Sequence, residues 1–264
     1  MGKYLWAFKM SFARDTAYRL GFFMGILRNL FLLLILYYVW LALSLESGQF
    51  AGFTASELTT YVFLAVVIRK FLSAGNTRRV SFDINDGTFS LYLTRPVNHF
   101  LFEYAQGLAE RIAQTVIMTL AVIQVGAVLD IDFIVQTDVT LLLIFTASLL
   151  LAHILMYVMD YGMALIAFWS REAMGPKFLF DWAGDFLAGT YFPLTILSGP
   201  LLTIASALPF MYVLFAPLMI YLGKMTVDQS VSVLLIQIVF IILTGLATNL
   251  AWNRGLRRYS GEGM

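Results

Sequence analysis

Apolar residues in this chain come in long unbroken blocks separated by short polar breaks, without the alternation of strands or the single apolar stripe of soluble helices. A bilayer core about 30 Å thick needs about 20 helical residues at about 1.5 Å each, and six blocks approach that length. They run from Leu20 to Leu45, Glu57 to Ala74, Arg111 to Leu129, Val139 to Phe168, Phe178 to Leu202 and Val231 to Trp252. The pattern predicts an all-α membrane protein of six transmembrane helices, with one domain filling residues 1–264.

The polar breaks are of two kinds. Lys3, Lys9, Arg14 and Arg19 precede the first block, Arg78, Arg79 and Arg95 follow the second, Arg171 and Lys177 follow the fourth, and Arg254, Arg257 and Arg258 follow the sixth. All fall on one side. The alternate breaks, Glu46 to Ser56 and Asp130 to Asp138, contain acids but no Lys or Arg, and the connection between the last two blocks holds only Lys224. Because cytoplasmic loops retain Lys and Arg, both termini are expected in the cytoplasm. The basic start does not resemble a cleaved signal, and Tyr4, Leu5, Phe8 and Phe12 grouped opposite Lys3 and Arg14 predict an interfacial helix over residues 1–19.

Residues 203–229 are a special case. The part from Ala205 to Gly223 is nearly as apolar as a span but contains Pro209 and Pro217, and a crossing here would carry the terminal arginines outside. A re-entrant helical pair dipping in from the outside is expected. Pro193, Gly199 and Pro200 should kink or shorten the fifth span, and a span broken near the outer leaflet can act as a gate.

Composition narrows the chemistry. The chain is 60% hydrophobic and 12% charged, with mean hydropathy +0.82, far from a soluble domain. Its net charge of +1 is confined to loops and forms no basic face for nucleic acid. There is no Cys, and His99 and His153 alone make no zinc site, so no cofactor or metal is expected on this chain. No Lys is followed by Ser or Thr, which removes the P-loop, and the Gly-x-Ser-x-Gly and His-Glu-x-x-His patterns are missing too.

Three acids, Asp160, Asp181 and Asp185, lie within apolar blocks, where a charge is costly and usually has a partner or a water path. Asp181 and Asp185, four residues apart on one face, can pair with Arg171, Lys177 or a cation on another helix. An intramembrane aspartyl hydrolase would need Asp160 and Asp185 to share a proton, but Trp182 stands where that chemistry wants Gly, and Tyr161 follows its acid instead of preceding it. His153 reads as a hydrogen-bonded helix contact. Aromatic residues on the first and fifth spans, among them Phe31, Tyr38, Tyr191 and Phe192 beside Asp185, either line a substrate path or form a lipid-facing belt.

The polar hinge Asp83-Ile84-Asn85-Asp86-Gly87, with Leu91-Tyr92-Leu93-Thr94-Arg95-Pro96-Val97 after it, resembles a motif of ABC-2 type permeases. The terminal run Trp252-Asn253-Arg254-Gly255-Leu256-Arg257-Arg258-Tyr259-Ser260-Gly261-Glu262-Gly263 is similar to the same family, in its bacterial viologen- and multidrug-exporter branch. The resemblance implies a type V exporter-like arrangement in a bacterial inner membrane, with two ATPase subunits holding ATP and Mg, and a second permease chain, identical or homologous. It also implies that residues 80–98 carry a coupling helix that docks on an ATPase. The residues suit that role: Asp83 or Asn85 can cap a short helix, Gly87 tolerates close packing, Phe89, Leu91 and Leu93 offer apolar knobs, and Arg95-Pro96 ends the helix. The alternatives to an exporter subunit are a membrane scaffold that moves nothing and, further off, the hydrolase.

Overall fold

The computed structural model of the protein describes residues 19–47, 49–73, 77–171 and 173–259. The interfacial helix expected over 1–19 lies outside these residues apart from Arg19, as does the end of the terminal run from Ser260. Among the described residues the fold is all-α, and the only β pairing is an isolated bridge between Phe50 and Phe53. That bridge closes a tight turn in which Ala51 and Gly52 both have positive φ, 54° and 85°.

Helix boundaries follow local chemistry. Helix α1, Arg19–Ser47, is apolar over most of its length, interrupted by Arg28 and Asn29, and α2, Ala55–Leu72, starts at a capping box in which Thr54 and Glu57 satisfy each other's backbone N–H. The hinge contributes α3, Thr77–Asn85, and the single turn α4, Ser90–Leu93. Helix α5, His99–Val128, is capped by Asn98, whose side chain accepts from Leu101 N at 3.0 Å. It begins well before the expected Arg111, at the Asn98 cap, and carries Glu103 and Arg111 into the protein interior beside Arg79 and His153. Helix α6, Val139–Ala164, starts where Asp138 accepts from Thr140 N and Leu141 N, and runs on as a 3₁₀ turn, Leu165–Phe168. Last comes α10, Val227–Arg258, opened by a second capping box, Thr226 with Gln229.

The fifth block departs from expectation. Phe178 to Leu202 is not one helix: α7, Met174–Leu187, ends before Gly189 (φ 77°), and the chain passes through a 3₁₀ turn, Leu194–Ile196, before Pro200 begins α8, Pro200–Ala207. Glycine at positive φ and proline without an N–H break the ladder more completely than a kink would. Another 3₁₀ turn, Pro209–Tyr212, and α9, Phe215–Tyr221, complete the segment, bent by 69° between Ala207 and Pro209.

Among the described residues four helices are long and apolar enough to cross a bilayer: α1 over Met24–Ser44, α5, α6 with its 3₁₀ extension, and α10. The bent pair raises the number to five if it counts as one span. The chain is thus a multi-pass membrane protein. Helix α2 is about 27 Å long at 1.5 Å per residue, but it carries Glu57, Arg69 and Lys70 and is the most enclosed long helix. Burial in protein gives its polar side chains partners: Thr60 accepts from Ile134 N at 2.9 Å, and Tyr61 donates to Gly189 O.

Around α2 gathers the main core, with Leu33 of α1, Met118 of α5, Leu155 of α6 and Phe215 and Leu218 of α9. Helices α6 and α10 pack tightly through small residues and buried amides. A Cβ on Gly162 would lie 2.7 Å from Thr248 Oγ1, and a Cβ on Gly255 would lie 2.2 Å from the Phe168 ring. The fully buried Gln237 donates to Ser148 O at 3.1 Å and Tyr212 O at 2.7 Å, tying α10 to α6 and to the broken segment.

The molecule has two distinct ends. One gathers the hinge, the 3₁₀ turn after α6 and the end of α10; the other gathers the turns around Gly52, Ile134 and Lys224. At the second, Lys224 pairs with Glu57 at 2.6 Å, donates to Gly52 O at 3.0 Å and lies over the Phe53 ring.

Candidate functional site

A cavity of about 570 Å³ opens between α1, α2, α6, α7 and the residues after α7. Part of its wall is apolar, with Phe31, Ile35, Leu36 and Val66; the rest is charged, with Arg28, Arg69, Lys70 and Lys177 facing Asp160, Asp181 and Asp185. Sequence reasoning left the aromatic residues of the first and fifth spans as either a substrate path or a lipid-facing belt. The charges converge here because the break after Leu187 leaves α7 short, so its polar face meets α2 and α6.

The three acids are held by cations. Lys177 lies 3.0 Å from the buried Asp160 and also pairs with Asp181, one turn along α7, while Arg69 on α2 pairs with Asp185. These bridges strap α7 to α6 and α2. Pairing of Asp181 with Lys177 and of an acid with a cation on another helix was expected; that α2 supplies this cation, Arg69 for Asp185, is what the fold adds. Because Asp160 and Asp185 each have their own cation, they do not form a proton-sharing dyad, which leaves the hydrolase reading without its chemistry.

The predicted path residues separate. Phe31, Asp185 and Tyr191 line the cavity, and Tyr191 approaches Asp185 with its hydroxyl at 3.4 Å. Tyr38 and Phe192 stand apart, edge-on against Tyr37 and Phe186 at 5.0 Å each. Pro193 is buried at the start of a 3₁₀ turn, while Gly199 (φ 57°) caps α8 just before Pro200, and none of the three touches the cavity. His153 is the packed contact expected of it: its ring lies 3.2 Å from Arg111 Nη1 and 3.0 Å from Phe71 O.

The second region is the hinge. Asp83 and Asn85 occupy the last turn of α3 and do not cap the helix that follows; α4 has no side-chain cap. Their side chains close the hinge instead, with Thr88 Oγ1 at 3.3 Å from Asp83 Oδ1 and Asn85 Nδ2 donating to Arg171 O at 3.1 Å. Burial pushes the Asp83 carboxyl above its ordinary value, against the opposing pull of Arg79, Thr88 and Tyr92. Burial likewise raises the Tyr92 hydroxyl. Gly87 is needed for its backbone, since φ is 78° at the turn between α3 and α4.

Phe89 was expected to be a knob for a partner, but it is 0% exposed. Its ring sits among Phe168, Trp252, Tyr259 and His99 at centroid distances of 4.9 to 5.7 Å. An aromatic side chain between three helix ends gains more by this enclosure than by facing water. The surface of the hinge is made by Phe82, Leu91 and Leu93, which are about half exposed, with Arg95 and Pro96 beside them. The Arg95 guanidinium lies 5.7 Å from the Tyr92 ring, and the chain turns directly into the Asn98 cap.

Tyr259 was the residue that sequence reasoning did not single out. Its hydroxyl donates to Gly87 O at 2.8 Å and accepts from Ser90 N at 3.2 Å, clasping the hinge to the end of α10. Both of the motif stretches quoted above therefore meet at one point. A parallel tether runs through Arg79 of α3, paired with the fully buried Glu103 of α5.

Fold and site together define a multi-pass helical membrane protein with a charged inner cavity and a hinge clasped at one end. Comparison of the sequence with family models makes this specific. The chain belongs to the ABC-2 family of transporter proteins, whose model matches residues 27–263 and so takes in the cavity, the hinge and the Tyr259 clasp. That family consists of transporter membrane components. No curated protein and no solved structure matches the chain.

Proposed function

We propose that this chain is the membrane permease of an ATP-driven exporter, with both termini in the cytoplasm of a bacterial cell and six passes through its inner membrane. Residues 80–98 form the coupling element. Two ATPase subunits, which bind ATP and Mg, push on the surface made by Phe82, Leu91 and Leu93, and Phe89 and Tyr259 pass the motion to α6 and α10. A second permease chain, identical or homologous, completes the path, and the bent α8–α9 pair with Pro193, Gly199 and Pro200 forms the gate at the far end. Multidrug efflux is the transport activity most in keeping with this branch.

The observation that carries the reading is the hinge itself: three exposed apolar side chains outside the spans, on a turn whose other face is locked into the bundle. Only a partner or a lipid surface gives such residues a use, and the chain lacks a P-loop of its own. The test is purification at native expression followed by uptake into inverted vesicles. An ATPase should copurify, and uptake should require ATP. Leu91→Asp with Leu93→Asp should release the ATPase, lowering association about 100-fold, since two apolar anchors at about 1–2 kcal/mol each are removed. A complex that retains its ATPase in that variant, or uptake indifferent to ATP, would sink the proposal.

A further inference from the structure

The cavity has more cations than its own acids can use. Among the described residues four cations and three acids line it, and all three acids are engaged by Arg69 and Lys177. Arg28 of α1 and Lys70 of α2 are left over: neither forms an ion pair or a hydrogen bond with a described residue. The acid that Lys70 senses most is Glu110 on α5, which accepts from Gln114 at 2.7 Å, and Lys70 also feels the repulsion of Arg28 and Arg69. Two cations without an acid of their own, set beside the already paired Arg69 in the wall of a partly apolar cavity, repel one another and Arg69. An anion there would relieve the repulsion.

The rest of the wall defines the shape of that anion. From Arg28 the cavity runs along successive turns of α1, past Phe31 and Ile35, toward Val66 of α2, none of which offers a polar side-chain group. Its volume of about 570 Å³ suits a drug-sized molecule. We propose that this cavity binds an amphipathic anion, with a phosphate or carboxylate head at Arg28 and Lys70 and an apolar body against Phe31, Ile35 and Val66. The proposal deepens the exporter reading by giving the path a substrate class, and rests on the cavity being part of that path. A membrane phospholipid and a transported amphiphile carry the same chemistry at this site.

The probe is radiolabelled dodecyl phosphate, bound at equilibrium to the full chain with its copurified subunits in phosphatidylcholine nanodiscs, without ATP. Saturable binding above empty discs is expected, about tenfold or more tighter than for dodecyltrimethylammonium, and far tighter than for inorganic phosphate, which lacks the apolar body. Arg28→Gln with Lys70→Gln should weaken it about tenfold, Arg28→Lys should retain most of it, and Arg254→Gln, at the far end of α10, should leave it unchanged. If the double variant does not fold, Arg28→Gln alone, at an exposed position, should still weaken binding. Adding phosphatidylglycerol to the discs identifies the occupant: displacement means a membrane lipid head, persistence a transported amphiphile. Equal or tighter binding of the ammonium probe, or no loss in the folded Gln variants, overturns the proposal. Because no ATP is present, that failure is separate from failure of ATP-driven uptake.

Discussion

Gly255 shows how little space the α6–α10 contact leaves. A Cβ there would lie 2.2 Å from the ring of Phe168, which is itself fully buried. Gly255→Val should cost about 1–3 kcal/mol through overpacking, read as a lower thermal midpoint of the purified chain; an unchanged midpoint would mean that the helices slide apart freely. Asp83 makes a different residue-scale prediction. Burial raises its carboxyl in the folded hinge, so the ionised form opposes folding: the native state loses stability as pH rises through the folded value. Asp83→Asn, which cannot ionise, should therefore unfold at a higher temperature than the parent at pH 7. That gain should shrink as pH falls through the folded value and vanish below the ordinary carboxylate value, where Asp83 is protonated in both states. A constant gain at all pH values would show that the carboxyl is not the cause.

Among elements, the telling relation is between the hinge and α10, far apart in sequence and joined by Tyr259. Its ring packs on Phe89 and Phe168 while its hydroxyl holds Gly87 O and Ser90 N. Tyr259→Phe keeps the packing and removes only the hydrogen bonds, a loss of about 0.5–1.5 kcal/mol each. Hydrogen exchange should accelerate in peptides covering 87–95 and stay unchanged in the middle of α10. If the hinge peptides keep their protection, the clasp is ornamental and the tether through Arg79 and Glu103 holds the hinge instead. The hinge was legible in sequence as a polar interruption, but its inner and outer faces were not. Phe89, Leu91 and Leu93 are equally apolar as letters; only the neighbouring Phe168 and Trp252 decide which one is enclosed.

For the whole molecule, the two ends can be separated experimentally because the chain has no cysteine of its own. Asp86→Cys in the hinge and Asp132→Cys in the turn before α6 both place a thiol at an exposed site. A membrane-impermeant maleimide applied to intact cells should label the second directly and the first only after permeabilisation. Labelling of both from one side would contradict the two-ended passage of the chain and the cytoplasmic hinge.

The long apolar blocks, the helix-opening caps and the membrane character are local properties, set by residues within a few turns of one another. Sequence alone determined them, and the two motif stretches carried the family. What it left open depends on contacts between distant segments. That α2 is the enclosed helix, that Arg69 reaches Asp185 and that Phe89 faces inward follow from which helices are neighbours. A charged residue in an apolar block reads the same whether it faces lipid, a partner helix or a cavity. The tertiary structure chooses among these, because the cost of a charge is set by what surrounds it, and those surroundings lie elsewhere in the chain.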